Sequence, residues 1–352
     1  MKTALDSLNQ GHWFKLICGA SYEYVPTIRN LALVYTLAGV DCIDVAADPA
    51  VIAAAREGIN VATSLGAIAQ SRGFLYRGTP ILMVSLNDGE DPHFRKAFFE
   101  SSQCPRDCHR PCEQVCPVDA ISWEGVLTPH CYGCGRCLPV CPSQLIESRS
   151  YVSTPGAIAP SLDQLGIQAI EIHTQIGREQ DFSRLWKAIL PYQEQLQILS
   201  ISCPDGDGLL DYLYSLSQIV KTFTGTLIWQ TDGRPMSGDI GAGTTHPAIK
   251  LATKVLAAGL PGLVQLAGGT NGYTVAKLRS HNLLKTSDLN SYIAGVAYGS
   301  YARSLLLPIL DTLNPDQADL EVDPDLLWKA VKTADTLVSP LKHQNNQDSL
   351  KC

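Results

Sequence analysis

Short apolar runs alternate with amphipathic stretches along most of this chain. The runs read as strands at Phe14–Gly19, Cys42–Ala46, Ile81–Leu86, Ala169–His173, Ile198–Cys203, Thr226–Gln230, Gly262–Ala267 and Tyr292–Ala297. Helical patterns fall between most of them, at Val25–Ala38, Pro49–Glu57, Phe182–Gln195, Leu209–Thr222, Pro247–Ala258 and Tyr273–Leu283. A last one, Tyr298–Leu310, follows the eighth strand. Residues 59–80 fit neither period cleanly and blur the third unit.

Eight strand–helix units in about 300 residues predict an α/β fold of the (β/α)8-barrel type. An open doubly wound sheet is the alternative. Residues 11–99 and 151–312 supply the barrel, and residues 100–150 interrupt it after the third strand. Residues 313–352 read as a C-terminal helix and a tail expected to be partly disordered.

Composition narrows the function classes. The 352 residues are 45% hydrophobic and 17% charged, enough for a large core. A net charge of −7 without a Lys/Arg cluster argues against nucleic acid as a partner. The best membrane-span candidate, Tyr292–Leu310, is broken by Gly295, Gly299, Ser300, Arg303 and Pro308. Residues 1–13 lack a leader's charged-then-apolar design, so a soluble cytoplasmic protein is expected.

Twelve cysteines in such a chain call for metal or redox chemistry rather than disulfides. Eight of them lie between Cys104 and Cys141. The second group, Cys131-Tyr-Gly-Cys134-Gly-Arg-Cys137-Leu-Pro-Val-Cys141-Pro142, has the C-x2-C-x2-C-x3-C-P spacing of bacterial two-cluster ferredoxins. Three closely spaced thiolates wrap a loop around a cube, and Gly133 and Gly135 permit the positive φ that wrapping needs. The first group, Cys104, Cys108, Cys112 and Cys116-Pro117, ends in the same way but opens with two three-residue gaps, which predicts a wider loop.

By the crossed-ligand rule of that pattern, Cys116, Cys131, Cys134 and Cys137 hold one cluster, and Cys104, Cys108, Cys112 and Cys141 hold the other. Both fit [4Fe–4S], with a [3Fe–4S] form open at the wider site. Structural zinc is the competing reading, although its knuckles usually pair across a longer loop. His109 reads as a solvated loop residue. Cys18, Cys42 and Cys203 fall on strands as small buried side chains, and Cys352 lies in the tail.

In a barrel, an insert after a strand sits on the face where ligands bind. Polar residues expected at that mouth are Ser21, Glu23, Asp48, Asn87, Asp88, His173, Asp205, Gln230 and Asp232, each equally readable as loop or cap chemistry. Glycine-rich segments follow the sixth strand (Gly238 to Gly243), the seventh (Gly268, Gly269) and the eighth (Gly299, Ser300). Gly268, Gly269, Gly299 and Ser300 mark where a flavin or another phosphate group could dock; tight turns are the simpler reading.

The Cys-rich region resembles the two-cluster ferredoxin domain. The whole chain resembles the cyanobacterial light-dependent period family, from Gly11-His-Trp-Phe-Lys15 to Gly295-Val-Ala-Tyr-Gly299, with the insert between Ile81-Leu-Met-Val-Ser-Leu86 and Glu171-Ile-His173. The resemblance implies a redox-responsive input to the circadian clock, with clock-associated signalling proteins as partners. Two functions from different classes follow: a redox sensor or electron relay, and a barrel oxidoreductase fed by its own ferredoxin module.

Overall fold

A computed structural model describes residues 4–89, 92–116, 118–131, 133–150, 165–233, 241–286, 291–313 and 319–343. All eight expected runs are strands: β1 (Trp13–Gly19), β2 (Cys42–Ala46), β3 (Ile81–Asn87), β8 (Ala169–His173), β9 (Ile198–Pro204), β10 (Thr226–Asp232), β11 (Leu263–Ala267) and β12 (Ile293–Tyr298). The intervening strands, β4 to β7, belong to the insert. The eight pair in parallel in the order β1-β12-β11-β10-β9-β8-β3-β2 and close on themselves, so the open sheet is ruled out.

Parallel strands covered on both faces carry apolar side chains on both. The outward set, such as Phe14, Leu16, Ile43, Val84, Ile170, Ile172, Leu199 and Ile201, packs under the surrounding helices. The inward set at the strand starts, including Trp13, Cys42, Met83, Ala169, Ile198 and Ile228, fills the barrel floor. Helix α1 (Ala4–Asn9), which the hydrophobic pattern did not announce, closes that floor with Leu8.

Helix α2 (Val25–Ala38) has the expected bounds. Helix α3 (Pro49–Ser71) runs well past the expected end at Glu57 and absorbs much of the ambiguous stretch. Two glycines lie along this helix. A Cβ on Gly58 would lie 2.1 Å from the Arg29 carbonyl oxygen, and one on Gly66 would lie 2.2 Å from the Tyr76 ring. They are close-approach positions within a helix, not breakers. A long C-terminal helix, Pro324–Lys342, packs on α2 and starts from Asp323, which accepts a hydrogen bond from the Leu326 N–H at 3.0 Å. The tail with Cys352 lies outside the described residues.

The insert follows β3 directly. Strand β4 (Arg95–Phe98) pairs antiparallel with β7 (Glu147–Ser150), so the insert closes at its base on Arg95, ahead of the boundary expected at residue 100. Inside this ribbon lie α4 (Pro111–Gln114), the hairpin β5–β6 (Ile121–Ser122 and Gly125–Val126), and α5 (Cys137–Val140). Phe99, Cys112, Ile121, Cys137 and Ile146 form its small core.

Candidate iron–sulfur centre

The insert's core is built around thiols. Cys112, Cys131 and Cys137 are buried, and the other five cysteines between residues 104 and 141 are partly buried. One largely enclosed cavity is lined by Cys116, Cys131, Cys134 and Cys137, together with Ala97, Ala120, Ile121, Gly133 and Gly135. These four thiols come from both motifs and are the set that crossed ligation requires. Burial pushes the Cys137 thiol up to about 12, and the neighbouring Cys134, Cys131 and Cys116 push in the same direction. At the first site, burial raises the Cys112 thiol and the charge of Cys141 adds to it. Cys141, although it belongs to the second motif by sequence, packs against the same small core as Cys112.

Thiols crowded in this way resist ionisation alone; a bound metal centre that accepts the thiolates removes the penalty. The backbone is arranged for that charge. N–H groups of Ala97, Ala120 and Arg110 point at the sulfurs of Cys131 (3.4 Å), Cys116 (3.2 Å) and Cys108 (3.4 Å). Gly133 and Gly135 both take φ of 73°. A Cβ at Gly133 would lie 1.9 Å from the Arg95 carbonyl oxygen, so the loop can pass β4 only as glycine. The donor set and the cavity fit a cluster.

A family model described as the LdpA Fe-S cluster-binding domain matches residues 104–152, which contain all eight cysteines. A second, the Light dependent period A C-terminal domain, matches residues 161–340. Light dependent period A of Synechococcus elongatus is 53% identical over 338 residues, covering 96% of this chain and 93% of that protein. The chain belongs to the light dependent period A family. Iron–sulfur, not zinc, is therefore the cofactor of this family's insert. Two solved structures match weakly over most of the length. Phosphoribosyl anthranilate isomerase from Thermus thermophilus is 10% identical with a TM-score of 0.40, covering 94% of this chain and 98% of that one. Tryptophan synthase from M. tuberculosis is 13% identical with a TM-score of 0.39, covering 94% and 99%.

In this member of the light dependent period A family, the insert sits on the barrel mouth. Phe94 is 1% exposed and meets the His173 ring edge-on at 5.4 Å between centroids. His93 Nε2 lies 3.0 Å from Asp232 Oδ2 at the end of β10. Lys96 Nζ donates to Glu23 Oε2 at 2.9 Å and to the Thr128 carbonyl at 3.0 Å. Below the mouth the barrel is polar. Lys15 pairs with Asp44 and Glu171, and Glu171 accepts from Gln230, Ser200 and His173.

Three of the nine expected mouth residues, His173, Gln230 and Asp232, meet at this network or its rim. The remaining six make other contacts. Asp48 caps α3, Glu23 holds Lys96, and Asp205 pairs with Lys254 at the surface. Asn87 donates to the Gly89 carbonyl, Asp88 accepts from Thr174, and Ser21 is buried. Lys15, Asp44 and Glu171 escaped the sequence reading. Each is the third residue of a strand that is apolar on either side of it, a recurrence that would have pointed to one shared layer.

The glycine loops are engaged within the chain. A Cβ on Gly269 would lie 2.3 Å from the Thr244 carbonyl oxygen, and the Thr244 hydroxyl donates to the Gly269 carbonyl at 2.8 Å. Gly268 precedes it with a φ of 67°. Ser300 accepts from Arg303 Nη2 at 3.2 Å, and the Gly299 carbonyl accepts from the Arg303 N–H. Residues 234–240, including Gly238, lie outside the described residues. Cys18, Cys42 and Cys203 are buried in the barrel wall.

Proposed function

We propose that the insert holds two [4Fe–4S] clusters, one on Cys116, Cys131, Cys134 and Cys137 and the other on Cys104, Cys108, Cys112 and Cys141. The observation that carries this reading is the enclosed cavity whose only thiols are the four that crossed ligation assigns to one cluster. Bound clusters supply one-electron exchange at potentials set by charge, hydrogen bonds and solvent exposure.

The protein then works as a redox sensor and electron relay. Its relative's name, Light dependent period A, supports a place in light-dependent input to the circadian clock, with clock-associated signalling proteins as partners. An open recess lined by Gln114, Val115, Gly135, Arg136 and Pro139 reaches Cys116 and Cys134 from the surface. Electrons have a short path there to a docked donor or acceptor. On the other side the clusters rest on the barrel through Phe94 and Lys96, so the barrel is the body that presents the redox state.

The test is anaerobic purification of the full chain with iron, sulfide and flavin quantitation, followed by EPR before and after dithionite. About eight irons, two reversible signals and no flavin are expected. Stoichiometric flavin would move the function to a barrel oxidoreductase, and a three-iron signal would change the assignment of the wider site. Iron at the wild-type level in Cys131→Ala would overturn the ligand sets.

A further inference from the structure

Arg110 stands between Cys108 and Cys112 in the first motif and adopts a left-handed backbone with φ of 53°. A non-glycine residue held there carries strain, which the surroundings must offset. Its side chain is almost fully buried, at 4% exposure. The guanidinium lies 4.1 Å from the centroid of the Trp123 ring, which covers one face of it. Glu113 Oε1 comes within 2.9 Å of Nη2, but without the alignment of a hydrogen bond. Nε, Nη1 and Nη2 have no hydrogen-bond acceptor among the described residues.

A guanidinium carries five N–H donors, and leaving them buried without acceptors costs several times what a satisfied bond contributes. The site must therefore supply acceptors of another kind. Arg110 stands two residues from each of the ligands Cys108 and Cys112. The Arg110 N–H already points at the Cys108 sulfur. The unsatisfied donors thus sit beside the thiols that would hold the cluster.

We propose that Arg110 is a potential-setting residue, whose guanidinium donates to the sulfurs of the cluster on Cys104, Cys108, Cys112 and Cys141 and makes it the more easily reduced of the two. This rests on the two-cluster reading above. Reduction adds one negative charge to a cluster, and a fixed cation shielded from water favours that added charge. The second site also has an arginine near a ligand, since Arg136 lines the same enclosed cavity as Cys134. Arg136, however, is only half-buried and lines the open recess as well as the enclosed cavity, so solvent reaches and screens it. Burial separates the two arginines, and with them the two potentials.

The experiment is an EPR-monitored redox titration of the anaerobically purified full chain as wild type, Arg110→Gln and Arg110→Lys, with irons per chain counted in each. Arg110→Gln should move one midpoint to more negative potential and leave the other in place. The expected change is about tenfold in the reduction equilibrium, which is about 59 mV for a one-electron couple. Arg110→Lys, which keeps the charge, should recover most of it. If the glutamine variant loses about half its iron while the lysine variant keeps all of it at the wild-type midpoint, the proposal also stands. Unchanged midpoints in a fully loaded glutamine variant would overturn it, as would equal iron loss in both variants, because shape rather than charge would then be what the site needs. A wild type without two reversible signals would instead refute the two-cluster reading, and the proposal with it.

Discussion

Lys15 Nζ lies 2.9 Å from Asp44 Oδ2 inside the barrel, and almost nothing of either side chain reaches solvent. Glu171 pairs with the same ammonium from the far side, so one cation serves two carboxylates. Burial alone would lower the Lys15 ammonium, but Asp44 and Glu171 outweigh it and hold it charged, well above its ordinary range. The polar layer they form, with Gln230, Ser200 and Gln265, lies above an apolar floor and below a mouth covered by the insert.

Removing the shared cation should be severe. Lys15→Met leaves two buried carboxylates unpaired and should cost about 3–5 kcal/mol of stability. Urea unfolding followed by circular dichroism measures it. Adding Glu171→Gln in the same chain should recover part of the loss, since one of the stranded charges is then gone. No recovery would mean that Lys15 acts through packing.

Glu171 should also shape the acid limb of stability. Burial by itself would raise its carboxyl, but the Lys15 charge and the His173 hydrogen bond outweigh burial and hold it well below the usual range. A carboxylate depressed on folding contributes in full above its ordinary value of about 4.3, and the contribution is lost as pH falls below that. Asp44 has the opposite sign: burial first, then the charge of Glu171, raise it despite Lys15. Its proton is bound more tightly in the folded chain, so ionisation on raising the pH costs stability. Glu171→Gln should therefore flatten the fall in urea midpoint between about pH 4 and pH 3 relative to wild type. An unchanged slope would assign that fall to other carboxylates.

Two glycines with the same backbone should behave differently. Gly133 and Gly135 both have φ of 73°, but a Cβ at Gly133 would strike the Arg95 carbonyl, whereas nothing lies within 4 Å of one at Gly135. Gly135→Ala should carry only the left-handed penalty of about 1–2 kcal/mol and keep its iron. Gly133→Ala must push the Cys131–Cys137 loop off β4 and should lose roughly half the iron of the chain. Iron counting on both variants distinguishes them, and equal loss would show that backbone strain alone decides.

The insert should loosen from the barrel without losing its clusters when Phe94 is truncated. Phe94 is buried against His173 and lines neither the enclosed cavity nor the open recess beside the cysteines. Phe94→Ala should cost about 3–5 kcal/mol at that contact. Faster amide exchange in Arg95–Phe98 and Glu147–Ser150 at unchanged iron content is the expected result. Iron loss would instead make the docking part of the cluster site.

Much of the architecture follows from local pattern. The eight strands fall within two residues of where hydrophobic runs place them, because a strand buried on both faces has to be apolar over its own length. The spacing of Cys104 to Cys141 implies iron–sulfur ligation for a related reason: a few residues of chain set how far apart neighbouring thiolates can stand. Where side-chain packing, not period, decided the outcome, local reading ran out. Gly58 and Gly66, beside and within the stretch that fits neither period, are contact points of one long helix. Gly269, readable as a tight turn or as a phosphate cradle, is pressed against Thr244.

What tertiary structure alone decided are the relations between distant residues. Lys15 and Glu171 are 156 positions apart. They meet because closing the sheet brings the third residues of β1, β2 and β8 to one level inside the barrel. The same closure places His93 over Asp232, and folding of the insert leaves Arg110 buried beside Cys112. Periodicity and spacing are short-range properties, carried by the chain's own geometry. Which charge faces which across the barrel depends on strand register and on what the insert covers, and these exist only once the barrel has closed.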